Sequence, residues 1–286
     1  MPDGDRALAG RTMIMSGGSR GIGLEIARRA AADGANITLI AKTDRPHPSL
    51  PGTIHTAAEE LELAGGTVLK VIGDVRRDEV VAAAVEQTAE RFGGIDIVVN
   101  NASAIDLSRT EDLSMKAYDL MQDINCRGSF LLAKTALPFL RKSAETGRNP
   151  HILTMSPPLN LEPRWAGAHL GYTIAKYGMS LVTLGLAEEL RGSGIKVDSL
   201  WPRTTIATAA IRNRPGGAQR VATARIPQIC ADAAYLVFTS PGEVSGRFLV
   251  DEDVLAAHGV TDFGRYRAVP GLAPLDTDLF LSSRTG

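Results

Sequence analysis

An α/β fold, a doubly wound and mainly parallel seven-stranded sheet with helices on both faces, is the architecture this sequence predicts. Three observations carry that expectation. Seven short Ile- and Val-rich runs recur along the 286 residues, and six are nearly continuous in apolar side chains. That is the pattern of strands buried on both faces. Helical patterns separate the runs, which implies a parallel sheet built from strand–helix–strand units. A glycine-rich turn follows the first run directly.

The expected strands are Thr12–Met15, Ile37–Ala41, Val68–Ile72, Ile95–Asn100, Ile152–Ser156, Lys196–Leu200 and Arg247–Val250. Between them, Ile22–Asp33 sets Ile22, Ile26 and Ala30 on one stripe and stops at Gly34, a helix-ending glycine. Glu79–Phe92 ends at Gly93-Gly94, and Gly128–Lys142 and Tyr172–Leu190 continue the helical series. Thr43–Gly52 carries three prolines and reads as a loop. Residues 203–225 hold Pro215-Gly216-Gly217 with Arg203, Arg212, Arg214, Arg220 and Arg225, and read as an irregular lid after a strand. The stretch 268–286 reads as an extended tail on the surface. No linker or repeat divides the chain, so residues 1–286 are expected to form one domain.

Composition narrows the function. Thirty-one basic against 32 acidic side chains leave a charge of −1, which argues against a nucleic-acid binder and an acidic disordered chain. Apolar residues make up 44% of the chain, enough for a full core. No apolar window approaches a membrane span, and no secretory signal is seen at the N-terminus. Cys126 and Cys230 are far apart in apolar contexts, without partners at metal-ligand spacing. They read as small core residues of a cytoplasmic protein, and no metal site is expected.

Ser16-Gly17-Gly18-Ser19-Arg20-Gly21-Ile22-Gly23 follows the first strand and opens a helix. There Gly17 permits the sharp turn, Gly21 the approach of backbone to a pyrophosphate, and Gly23 close helix–sheet packing. The turn residues Gly17, Ser19, Arg20, Gly21, Ile22 and Gly23 are therefore candidate dinucleotide-binding residues. A carboxylate at the end of the second strand would bond a ribose 2′-hydroxyl. This strand ends Leu39-Ile40-Ala41-Lys42-Thr43 instead. Lys42, with Arg20, would attract a 2′-phosphate, so NADP is the expected cofactor.

Tyr172-Thr173-Ile174-Ala175-Lys176 places a phenol and an ammonium at i and i+4, on one helix face. A free phenol has a pKa of about 10, too high for a base at neutral pH, and a neighbouring cation lowers it. The pair opens the helix after the fifth strand, at the sheet end where open α/β folds bind ligands.

With these motifs, the chain resembles the short-chain dehydrogenase/reductase family, with its Rossmann sheet, over about residues 8–252. The resemblance rests on Gly17-x3-Gly21-x-Gly23, Asp74-Val75, Asn100-Asn101-Ala102, Asn125 and Tyr172-x3-Lys176. The stretches 151–161 and 172–180 look like the hydroxysteroid-dehydrogenase-like branch, here without the sterol-carrier domain that some members carry. The resemblance implies proton exchange at Tyr172, a nicotinamide-ribose bond and a lowered phenol pKa from Lys176, and a water held by Asn125. It implies adenine contacts from Asp74 and Val75, ribose contacts from Asn101 and Ala102, and a nicotinamide-amide site near Pro202 and Thr204. It also implies a homotetramer or homodimer built on the helices holding Asn125 and Tyr172, where Met179, Leu181, Val182 and Leu186 give more apolar surface than one sheet face needs.

Three positions depart from the family: Ser103 and Arg203 replace glycines, and Pro157 stands where a substrate-orienting serine is common. Ser156, 16 residues before Tyr172, takes that role if the prolines redirect it; otherwise Asn160 substitutes, or catalysis is weak. The implied function is hydride transfer between NADP and a carbonyl or secondary alcohol, possible on lipid-like or acyl substrates. A dinucleotide-binding sensor with little turnover, and a dehydratase or epimerase, stand as alternatives. The lid arginines suit an anionic substrate group or simple solvation. Trp165, Leu159 and Leu161 suit an apolar substrate wall or packing on the sheet, and His169 suits loop packing better than catalysis.

Overall fold

The structure, a computed structural model, describes residues 6–47, 51–213, 216–242, 244–271 and 274–282. In chain order the elements begin β1 (Thr12–Ser16), α1 (Gly21–Ala32), β2 (Asn36–Ala41), α2 (Ile54–Leu63), β3 (Thr67–Ile72) and α3 (Asp78–Phe92). They continue with β4 (Ile97–Asn100), α4 (Met115–Met121), a π-helical turn (Gln122–Arg127), α5 (Gly128–Glu145), β5 (His151–Thr154), α6 (Pro163–Ala168) and α7 (Leu170–Glu189). The last are β6 (Lys196–Trp201), α8 (Ala209–Arg212), α9 (Gly217–Ala222), α10 (Gln228–Thr239), β7 (Phe248–Val250) and α11 (Asp251–Ala257).

The seven strands form one sheet in the order β3-β2-β1-β4-β5-β6-β7, and every pairing is parallel. Strand order reverses between β1 and β4, so the crevice beyond their carboxyl ends is where such a sheet takes a ligand. β1 is buried throughout because helices cover both faces. One core layer joins Met13, Met15, Ile37 and Leu39 to α1, α2 and α10. The opposite layer joins Ile14, Ile40 and Val98 to α3, α5 and the end of α7. The outer strand β3 has only Val71 buried, as suits an edge.

The expected strands lie within two residues of the observed ones. Two segments correct the expectation. Residues 203–225 are not an irregular lid: they hold α8 and α9, and Ile206 and Arg225 form a parallel bridge. Arg203 is bound to Asp253 and Arg225 to Glu252, so both guanidinium groups are structural. Arg214 and Pro215 lie outside the described residues.

Of the described tail, residues 274–277 stay largely at the surface as expected, whereas residues 278–281 pack into the fold. Thr277 pairs antiparallel with Thr204, Asp278 N–H donates to Arg203 O at 3.0 Å, and Trp201 Nε1–H donates to Leu279 O at 3.0 Å. Phe280, 2% exposed, then inserts among Trp165, Tyr172, Tyr177 and Trp201. Its φ of 70° is unfavourable for a side chain of this size, so packing holds it there.

Candidate active site

The glycine turn forms the first half of the site. Gly17 has φ 73°, and a Cβ there would lie 2.7 Å from Ala102 Cα. A Cβ on Gly23 would lie 2.4 Å from Asn101 Nδ2 and 2.8 Å from Gly17 O. Glycine is thus required for β4 to approach the turn. Asn101 fastens that approach: Nδ2 donates to Gly17 O at 2.8 Å and its backbone N–H to Ser16 Oγ at 3.2 Å. No side chain caps the start of α1, which leaves its first N–H groups directed at the crevice.

Gly17, Ser19, Arg20, Gly21 and Ile22 line a cavity of about 410 Å³ together with Lys42, Asp74, Val75, Asn101 and Ala102. Gly23 lies behind this wall as the packing glycine. Lys42 is half exposed, its ammonium 3.3 Å from Asp74 Oδ2. Arg76 grips the same carboxylate and, with Lys42, holds its pKa down to about 2. The acid nearest the end of β2, Asp44, is engaged by His55 at 2.7 Å. Arg20 donates to Gly52 O at 3.0 Å, while its buried Nε has no protein partner.

A second cavity of about 660 Å³ shares Ile22, Asn101, Ser103 and Thr208 with the first, making one continuous crevice. α7 starts beside it, and one helical turn separates the buried Tyr172 and Lys176 on its wall. Lys176 Nζ donates to Met155 O at 2.8 Å and lies 5.1 Å over the Trp201 ring. Burial pushes its pKa down to about 7, against the opposing charge of Asp278. Met155, Trp201, Pro202, Ile206 and Leu279 make much of the wall apolar, and Asp278 and Arg220 stand on it. A larger groove of about 900 Å³ lies away from all these residues, between the end of α7 and residues 242 and 244–246.

The other expected residues fall differently. Asn125 is fully buried on the π-helical turn. Its Oδ1 accepts from Ala104 N–H at 2.7 Å and its Nδ2 donates to Ala104 O at 3.0 Å, so it ties down the loop after β4. Ser156 does not swing into the cavity. It is 0% exposed, its Oγ makes no hydrogen bond, and it is absent from the wall. Asn160 is committed elsewhere, donating to Phe280 O at 3.2 Å and accepting from Tyr177 Oη. Thr204 is buried in the bridge to Thr277; Thr205 and Thr208 occupy the wall instead. His169 packs on Leu107 O, and Leu161 is exposed rather than part of a wall. The residues that sequence reasoning missed are Met155, Trp201, Asp278 and the Phe280 anchor. Nothing local in the Pro-containing tail signals Asp278 or Phe280, and Met155 and Trp201 read only as apolar residues at strand ends.

The short chain dehydrogenase family model matches residues 11–215, and the chain belongs to that family. It is 53% identical over 97% of its length to hydroxysteroid dehydrogenase-like protein 2 of Danio rerio, of which it spans 65%. It is 52% identical to a short-chain dehydrogenase of Mycobacterium thermoresistibile, with a TM-score of 0.90 and 96% of each chain covered. An NADH-dependent reductase responsible for alginate metabolism is 25% identical, with a TM-score of 0.70 over 86% of this chain and 96% of its own.

Proposed function

We propose that the chain is an NADP-dependent oxidoreductase acting on a carbonyl or secondary alcohol carried by a largely apolar, lipid-like or acyl substrate. The observation that carries this reading is the Tyr172–Lys176 pair on the wall of a crevice that continues into the glycine turn. The crevice suits a dinucleotide. Two glycines stand where any Cβ would collide, and the start of α1 offers N–H groups to a pyrophosphate. Ser19, Arg20, Gly21 and Ile22 would hold the phosphates, Asp74 and Val75 the adenine, and Asn101, Ala102 and Pro202 the nicotinamide end. When bound, the cofactor supplies the hydride donor or acceptor.

Tyr172 passes a proton to or from the substrate oxygen. Lys176, held by Met155 O, orients the ribose and favours phenolate while it is charged. Trp201, Ile206 and Leu279 exclude water and take the apolar part of the substrate.

Lys42 sets the cofactor preference. No free carboxylate stands at the end of β2 to bond a 2′-hydroxyl, whereas Lys42 and Arg20 offer positive charge. Lys42→Asp should weaken NADP(H) by roughly tenfold or more, about 1.4 kcal/mol, and leave NAD(H) equal or tighter. Fluorescence titration with both reduced cofactors reads this, and an unchanged preference would refute the assignment. Gly23→Val, which collides with Asn101 and Gly17, should weaken both cofactors at least about tenfold; normal affinity would remove the turn from the binding site.

Phe130 on α5 and Ile174, Leu181 and Leu184 on α7 are exposed apolar residues. They support a homodimer or homotetramer, and a monomer by light scattering at micromolar concentration would count against it. A nucleotide-binding sensor with weak turnover is the second reading. The absence of a serine hydroxyl at Pro157, with Ser156 turned away, favours it.

A further inference from the structure

Asp278 stands on the reaction cavity wall and has no part in the scheme above. It reaches that position because the C-terminal strap is fixed on both sides of it. Thr277 bridges to Thr204 before it, and Phe280 is seated among four aromatic rings after it. Its own backbone N–H donates to Arg203 O, and its Oδ1 accepts from Leu279 N–H at 2.6 Å. The carboxyl is therefore held in place, with its second oxygen outside that backbone bond.

The charged neighbours define what it can do. Lys176 on α7 and Asp278 feel each other's charge without forming a direct ion pair. Asp251, buried at the start of α11, opposes ionisation of Asp278, and Cys230 of α10 lies in the same electrostatic group. Tyr172, Asp276 and Arg220 share the cavity wall, while the Arg203 guanidinium is bound to Asp253. Asn125 spends its side-chain amide on Ala104.

We propose that Asp278 is a positioning residue for proton transfer, exchanging the proton of Lys176 with the solvent of the cavity. This rests on the oxidoreductase reading of Tyr172 and Lys176. In alcohol oxidation the substrate hydroxyl proton taken up by Tyr172 is matched by one released on the Lys176 side. There an N–H bond of the ammonium breaks, an O–H bond forms on Asp278 by way of cavity solvent, and the acid then loses that proton to bulk water; the proton held by Tyr172 then passes to the Lys176 amine, restoring ammonium and phenolate. No electrons move in this step; the hydride leaves separately for the cofactor. In carbonyl reduction the same transfers run in reverse.

Burial acts oppositely on the two groups, pushing the Asp278 carboxyl up to about 7 and the Lys176 ammonium down to about 7. A proton can then move between them near neutrality without a large imbalance. Only the carboxylate accepts this proton and only the ammonium donates it, so the relay peaks near pH 7, its rising limb set by Asp278 and its falling limb by loss of the Lys176 charge.

The test uses the full chain with NADP+ and carbon-13-labelled aspartate side chains, and 2-decanol as the alcohol probe. An Asp278 resonance, identified by its loss in Asp278→Asn, should titrate near 7 and move higher in Lys176→Met, which removes the opposing cation. Asp278→Asn should lower kcat for 2-decanol by roughly 10²-fold with KM little changed, and lose the rising pH limb. Added formate should restore turnover in Asp278→Ala. An ordinary carboxylate titration indifferent to Lys176→Met, or wild-type kcat and pH profile in Asp278→Asn, would overturn the proposal. Tyr172→Phe measured alongside separates the readings. Full turnover there defeats the oxidoreductase scheme, whereas its loss beside unchanged Asp278→Asn defeats the role of Asp278 alone. The resonance decides the coupling even if 2-decanol is not turned over.

Discussion

Tyr172→Phe should lower turnover by ~10²–10⁴-fold, the usual contribution of general acid–base catalysis, with cofactor affinity little changed. The substitution removes one oxygen and keeps the ring. That ring is 5% exposed and stacked 6.2 Å from the Phe280 ring, so its packing should survive. Lys176→Ala should act differently, reducing both turnover and cofactor affinity, because its ammonium orients the ribose and biases the phenol. Steady-state rates and a cofactor titration on the two variants make the comparison. Turnover indifferent to Tyr172→Phe would place the chemistry elsewhere.

Phe280→Ala should release the strap. Emptying a buried phenylalanine site costs about 3–5 kcal/mol in well-packed cores. Because the strap is joined to the body by one bridge and a few hydrogen bonds, that loss appears first as local undocking rather than global unfolding. The φ of 70° strengthens the argument, because a non-glycine residue held there adds about 1–3 kcal/mol of strain that the packing must already exceed. Amide exchange at Asp278 and Leu279 should accelerate by roughly 10²-fold, the equivalent of about 2.7 kcal/mol. Trp201 fluorescence should change as its indole loses Leu279 O. Turnover should fall while binding at the distant glycine turn persists. Exchange as slow as in the wild type would show that Phe280 does not anchor the strap.

The parts of the molecule visible in the sequence are those whose residues report their own environment. Thr12–Ser16 or Ile97–Asn100 must be apolar throughout because helices cover both sides, and no tertiary knowledge is needed to read that. The glycine turn and the Tyr172–Lys176 spacing are equally local, since each is fixed within one turn of helix or loop. α10 was missed because it is apolar around much of its circumference and so lacks a stripe. α2 was missed although Thr53 and Thr56 cap it reciprocally and Ile54, Ala57, Ala58 and Leu61 give the helical spacing. The prolines just before it are the stronger local signal, and they mark a loop.

Site residues that depend on distant packing were beyond that reach. Ser156 and Thr204 sit at suitable sequence positions, yet the first is fully buried with no partner, and the second is buried where its backbone bridges to the tail. Arg203 and Arg225 looked available to a substrate until Glu252 and Asp253, some 30–50 residues further along the chain, claimed them. Asp278 reaches the cavity wall, and Phe280 its aromatic seat, only because the chain returns alongside Trp201. Their position reflects the bridge at Thr204 and the aromatic cage, neither of which leaves a periodic trace.

Tyr172 and the glycine turn are proposed to serve one hydride-transfer site. This is tested most directly by following deuterium from NADPH labelled at C4 into a panel of apolar ketones, aldehydes and 3-oxoacyl thioesters, with product masses as the readout. One deuterium per alcohol product is expected at the former carbonyl carbon, with loss of that label transfer in Tyr172→Phe. NADPH that binds tightly yet delivers no deuterium to any member of the panel would contradict it.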